Sequence, residues 1–222
     1  LLLKKEGVIT LEMPHVLKLL KYSQFDTIYH EHFSYHSLFT IQKIFKKHGL
    51  RVFDVDVLNT HGGSLRVYGC LENALHKEKS SVSDLLDEEK KSGLQKIETY
   101  SNFQPIIDAI KMNFLDFLIE KKKEGKTVLA YGAAAKGNTL LNYCGIKSDL
   151  ITAVFDAAKA KQGKFLPGSH IPILDPDEIK SFKPDYVVIL PWNIADEVIK
   201  QNKDLYDSGV KFVIAVPELR VL

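Results

Sequence analysis

The feature that most constrains this chain is the alternation of strand-like and helix-like segments that begins at Lys126. Thr127 to Tyr131 reads as a strand, Gly137 to Tyr143 as a helix, Ile151 to Phe155 as a strand and Asp175 to Phe182 as a helix. Tyr186 to Leu190 is then apolar at every position, and a helical Ala195 to Tyr206 leads to a last strand at Val210 to Val216. Strands joined by helices at this spacing pair in parallel through right-handed crossovers. A run without polar alternation suits a strand covered on both faces, so Val187, Val188, Ile189 and Leu190 are expected at the centre of the sheet.

The chain before Lys126 is organised differently. Leu1 to Gly7 reads as the end of a helix stopped by Gly7, so the chain is expected to open part-way through a longer protein. Val8 to Met13 is a predicted strand and Val16 to Lys21 a short helical turn. Leu38, Ile41, Ile44 and Phe45 recur at helical spacing before Gly49. Leu50 to Leu58 and Ser64 to Tyr68 read as strands that pair across the His61-Gly62-Gly63 turn. From Leu75 to Gly125 charges dominate. Apolar residues recur at three and four, in Val82, Leu85 and Leu86 and again in Ile106, Ile107, Ile110, Phe114, Phe117 and Leu118. The expected division is therefore 1–74, a helical connector at 75–125, and a Rossmann-like parallel-sheet domain at 126–222.

Composition excludes several classes of partner. Thirty Lys and Arg against 28 Asp and Glu leave a net charge of +2, with no electrostatic footprint for nucleic acid or an anionic membrane. Cys70 and Cys144 are too few for a disulfide framework or a cysteine-rich zinc site, which makes a reducing cytoplasm the expected compartment. No apolar run approaches the roughly 18–20 residues of a membrane span. A homodimer is compatible with this composition.

Three constellations could carry chemistry. Tyr29-His30-Glu31-His32, with Tyr35 and His36 behind it, sets a base, a group to orient it and a phenol within a few residues. That equipment suits proton abstraction next to a carbonyl and donation to the resulting enolate oxygen. Metal ligation by His30, His32 and His36 is a rival, but no cysteine or second carboxylate supports it. A polar loop that satisfies its own backbone is the other. In Thr60-His61-Gly62-Gly63-Ser64-Leu65-Arg66, paired glycines let backbone approach a ligand, although a hairpin turn explains them equally. In Tyr131-Gly132-Ala133-Ala134-Ala135-Lys136-Gly137-Asn138-Thr139, a strand meets a helix whose free amides and positive dipole end suit a phosphate. The pattern is neither G-x-G-x-x-G nor G-x-x-x-x-G-K-[ST]. Asp156 follows Gly137 by 19 residues (156 − 137), near where an acid can bind a ribose hydroxyl. The rival is a turn that needs small residues only for close packing.

Together these segments resemble the sugar C-methyltransferases, enzymes that use S-adenosylmethionine to methylate a deoxysugar carried on a nucleoside diphosphate. The likeness runs through Phe25 to Tyr35, His61 to Val67, Tyr131 to Leu141, Gln162 to Pro172 and Tyr186 to Asn193. It implies that 1–74 is the C-terminal part of a methyltransferase sheet and that 126–222 binds nucleotide sugar. S-adenosylmethionine would be bound mainly by residues missing from this chain, and zinc only in a missing N-terminal part. His32 is implied as the base that removes the proton next to the keto group, with Tyr29 and Glu31 positioning the sugar or stabilising the enolate. His61, Gly62, Gly63, Arg66, Tyr131, Gly132, Lys136, Gly137, Asn138, Asp156, Trp192 and Asn193 are the expected substrate contacts, and no metal ligand is assigned. Two other readings stand beside it. One is a nucleotide-sugar binding module without catalysis in this truncated form; the other is a nicotinamide-dependent oxidoreductase using the Gly132 loop.

Overall fold

The computed structural model describes residues 2–222, apart from the side chain of His61. It divides into two compact units. One takes the chain up to Gln24 together with His32–Gln104, and the other takes Phe25–Glu31 together with Pro105–Leu222.

The first unit is an antiparallel sheet of β1 (Val8–Pro14), β2 (Leu50–Leu58) and β3 (Ser64–Leu71), with β3 in the middle. The short helix α1 (Val16–Lys21) follows β1, and α2 (Leu38–Lys47) precedes β2. Leu38, Ile41 and Phe45 of α2 are buried against Val52, Val55, Leu65 and Val67 of the sheet. Ile44, on the same helical face by spacing, is 40% exposed, because 3.6-residue periodicity carries it to the edge of the stripe. Helix α3 (Ser80–Lys91) adds Val82 and Leu85 to this core, and α4 (Ile97–Ser101) follows. The helices expected as a connector are thus shared out: α3 and α4 fall in the first unit, and the body of α5 (Phe103–Lys123) in the second.

A buried carboxylate organises the first unit. Glu89 of α3 accepts the backbone N–H groups of Leu38 (2.6 Å) and Phe39 (3.0 Å) and lies 2.8 Å from His15 Nε2. Ser37 Oγ accepts the N–H of Thr40. The first three amides of α2, which no helix can satisfy internally, are therefore all paired, and the negative group stands at the positive end of the dipole.

The second unit holds a six-stranded sheet in the order β6-β5-β4-β7-β8-β9. Its strands are β4 (Val128–Tyr131), β5 (Val154–Phe155), β6 (Ile173–Leu174), β7 (Tyr186–Ile189), β8 (Lys211–Ile214) and β9 (Arg220–Val221). All pair in parallel except β9, which runs antiparallel to β8. The apolar run expected at the centre forms β7, between β4 and β8, and Val187, Val188, Ile189 and Leu190 are buried. Helix α6 (Ala135–Cys144) starts two residues before the expected Gly137. In place of the expected helix at Asp175–Phe182, Pro176–Phe182 is wound as a 3-10 turn, entered through Asp175, whose side chain accepts the N–H of Asp177. The expected Ala195–Tyr206 helix is broken into α7 (Ala195–Gln201) and α8 (Lys203–Asp207). The side-chain amide of Asn202 donates back to the Val198 carbonyl (2.9 Å), offering the backbone an alternative at that turn.

Glu89→Ala should strand the Leu38 and Phe39 amides and His15 in a dry interior. Unsatisfied buried groups of this kind cost roughly 1–3 kcal/mol each, so a loss of about 3 kcal/mol is expected. Urea unfolding would show it as a lower midpoint at unchanged slope, and a shift below about 0.5 kcal/mol would refute the role.

Candidate functional site

In the second unit the chain leaves β4 to build β5 and β6 on one side, then returns to build β7 and β8 on the other. The carboxyl ends of β4 and β7 therefore flank the point where strand order reverses, the place where open α/β sheets form a crevice for ligands. Two glycines set how tightly it closes. Gly132 ends β4 with φ +88°, and a Cβ there would sit 2.6 Å from Pro191 Cδ. Gly137 lies in the first turn of α6, where a Cβ would come within 2.5 Å of Leu190 Cβ. Both expected contact residues thus have a packing reason for being glycine.

Asp156, an expected ribose contact, is engaged by the turn itself. Its Oδ2 accepts the N–H of Ala133 (2.7 Å) and the ammonium of Lys161 (3.0 Å), while Oδ1 accepts the N–H of Ala158 (2.8 Å). Lys161 also donates to the Ala133 carbonyl (3.0 Å). This carboxylate fixes the turn between β4 and α6. The side chain of Tyr131, also an expected contact, is buried in the sheet's core with Leu129, Phe155 and Ile189.

Lys136, expected to meet a phosphate, is buried. Its ammonium donates to Asn193 Oδ1 (2.9 Å) and lies 4.6 Å from the centre of the Trp192 ring. The Trp192 N–H in turn donates to Asp26 Oδ2 (2.6 Å), in the short turn Phe25–Thr27. Desolvation lowers the Lys136 pKa, against the pull of Asp26. Burial raises Asp26 to about 6, opposed by the Trp192 hydrogen bond and the Lys136 charge. Trp192, Asn193 and Lys136 are thus brought together, but on one another.

Beside this cluster a cleft of about 340 Å³ opens over the start of α6. Tyr29, His30, Ala133–Ala135, Asn138 and Thr139 line one part of it, and Lys161, Lys164, Phe165 and Pro167 another. Asn138 Oδ1 is buried without a hydrogen-bond partner among the described residues. Glu31 is exposed, with its carboxylate 3.9 Å from His30 Nε2. Lys161, Lys164 and Phe165 line the cleft although they are not among the contacts expected from the sequence. The signal is present in Lys161-Gln162-Gly163-Lys164, two cations around a Gln-Gly pair soon after a strand that ends in an acid.

The remaining expected residues lie in the first unit. His32 is half-buried, its ring 6.3 Å from that of Tyr35 and set edge-on. Gly62 and Gly63 both take positive φ, and their carbonyls accept from Gln24 Nε2 (2.7 Å) and the His15 N–H (3.1 Å). Arg66 makes a two-pronged ion pair with Glu12, its cross-strand neighbour, at 2.9 and 3.1 Å. The side chain of His61 lies outside the described residues. Among the described residues no group of three His, Cys, Asp or Glu side chains could hold a metal ion, and no helix is long and apolar enough to cross a membrane.

Strand order defines a Rossmann-like domain, with the cleft beside the β4–β7 switch point. The model of the C-methyltransferase C-terminal domain matches residues 59–217, and the chain belongs to that family. It is 39% identical over 221 residues to the C-methyltransferase NovU of Streptomyces niveus; the match takes in 100% of this chain and 53% of NovU. The chain spans about half the length of that curated relative.

A carboxyl whose pKa is raised by folding contributes stability at low pH that is lost as pH rises from the unfolded value of 3.8 through about 6. Measured against Asp26→Asn, the wild type should therefore lose about 3 kcal/mol between pH 4 and pH 8, since each tenfold gain in proton affinity is worth roughly 1.4 kcal/mol. Thermal unfolding of both proteins across that range checks it; parallel curves would place Asp26 in contact with water.

Proposed function

We propose that the protein to which this chain belongs transfers a methyl group to a carbon next to the keto group of a nucleoside-diphosphate deoxysugar, and that this chain supplies the nucleotide-sugar site. The observation that carries the reading is the cleft over the first turn of α6. It combines a helix N-terminus, the cations Lys161 and Lys164, the free acceptor of Asn138, and Tyr29 and His30 within one unit. Helix amides and ammonium groups suit a diphosphate, and a phenol and an imidazole suit the keto sugar beyond it.

S-adenosylmethionine, when bound, supplies the methyl group. The β4 turn does not fit it: Pro191 fills the space at Gly132 and Asp156 takes the Ala133 amide, so we assign its binding to residues outside this chain. The same closure argues against a dinucleotide there. What these residues do is hold the sugar and move a proton. The hydrogen next to a keto group is acidified, and its removal leaves an enolate whose carbon is a nucleophile. His32 is our base, the role that the family resemblance implies for it, because an imidazole nitrogen can take up a proton and pass it on. Tyr29 and Glu31 are assigned to the sugar and the enolate oxygen. His30, which lines the cleft with Tyr29, is next in line as the base.

Calorimetric titration of the 222-residue chain with ADP, GDP, CDP, UDP and dTDP tests the binding half of this reading. Lys164→Ala should weaken the best of them about tenfold, as expected for one charge-assisted hydrogen bond, and the loss should shrink as salt rises. Equal affinity at low salt would remove Lys164 from the phosphates.

The chemical half is tested in the full-length enzyme. His32→Asn should cut methyl transfer by roughly 10²–10⁴-fold, the usual contribution of one acid–base group, while sparing nucleotide-sugar affinity. Loss of deuterium from substrate labelled next to the keto group should fall in parallel. Near-normal exchange would move the base to His30.

A further inference from the structure

Phe165 stands on the wall of the cleft with 51% of its surface exposed, although full burial of such a ring is favourable. One of its faces is already covered. The His170 ring stacks on it with centroids 4.3 Å apart and 11° between the planes. The two rings come from the arms of a short hairpin closed by Ile173 N–H to the Lys164 carbonyl (2.8 Å), Leu166 N–H to Ile171 (2.9 Å) and His170 N–H to Leu166 (3.0 Å). Leu166 and Ile171 are buried, so the pleat turns Phe165, the residue before Leu166, to the opposite face. His170 takes φ +57°, uncommon for a residue with a side chain, at the hairpin's tip.

The hairpin is also pinned to the domain. Asn142 Nδ2 of α6 donates to the Pro167 carbonyl and Lys147 Nζ to that of Gly168, both at 2.9 Å. Phe165 is therefore an aromatic ring backed by a second ring, held by its hairpin, and set beside Lys164 and Lys161. An aromatic surface with cations next to it matches a planar heterocycle attached to phosphates.

We propose that Phe165, backed by His170, is the stacking platform for the nucleobase of the bound nucleoside diphosphate, with Lys161 and Lys164 on its phosphates. This rests on the reading of the cleft as a nucleotide-sugar site and adds the base-binding end. Stacking is tolerant of base identity because every base has a π face, so Phe165 sets affinity more than choice of base.

The test uses the 222-residue chain, titrated with the five nucleoside diphosphates and with inorganic pyrophosphate. Phe165→Ala should weaken the best nucleoside diphosphate about tenfold or more and leave pyrophosphate within about twofold, because stacking acts only on the base. Phe165→Leu, which keeps bulk but not the π face, should behave like the alanine variant. Phe165→Trp should keep wild-type affinity, and its indole emission should be quenched on binding. Circular dichroism establishes that each variant is folded. Wild-type affinity in Phe165→Ala, or an equal loss for both probes, overturns the platform while leaving the cleft reading intact. A wild type that binds none of the nucleoside diphosphates overturns both.

Discussion

The site depends on how closely α6 approaches the end of β7. Gly137 against Leu190 and Gly132 against Pro191 leave no room for a methyl group, so the helix start is brought onto the strand end with nothing between them. That approach puts Lys136 under cover, where an isolated ammonium is costly. Asn193, the face of Trp192 and the Asp26 carboxyl offset the cost together. The same approach leaves the cleft on the other side of the turn, where Lys161 and Lys164 remain within reach of solvent. Burial, more than residue type, separates Lys136 from Lys164.

Both units solve the same local problem in the same way. Backbone amides that regular structure leaves unpaired are taken by one buried or nearly buried carboxylate from a distant element. Glu89 serves the start of α2, and Asp156 serves the turn before α6. Each acid also holds a basic side chain, His15 or Lys161. A carboxylate can accept several donors at once, which suits it to fixing a turn that must not move. In the second unit the fixed turn is the floor of the cleft, so its geometry is set before any ligand arrives.

Much of the architecture is legible in the sequence because hydrophobic pattern reports burial directly. Tyr186–Leu190 has no polar position to give water, and it forms the interior strand its composition demands. Strands of two residues, such as Ile173–Leu174 and Arg220–Val221, are too short to carry a period. Asn202 is a plausible residue within a helix until its amide is seen bonded to Val198. At the site, Tyr29, Gly132, Gly137 and Asn138 are legible as candidates from a polar cluster and a strand–helix junction. Their individual tasks are less so. Tyr131 belongs to the core and Asp156 to the turn, since a residue's type does not say which partners, 23 residues away in the case of Ala133, have already claimed it. Phe165 escapes a sequence reading because an aromatic residue in a loop looks like packing until it is seen stacked on His170 with half its surface open.

The short stretch Phe25–Glu31 belongs to the second unit although the residues on either side of it belong to the first. The Rossmann-like domain is therefore not a continuous piece of polypeptide. A fragment begun at Pro105 would keep all six strands of the sheet yet leave the Trp192 N–H without its acceptor and Lys136 without the nearby acid. It would also lose the Tyr29 and His30 side of the cleft. Any attempt to transplant this domain, or to exchange it for that of a relative, has to carry the Phe25–Glu31 peptide along with it.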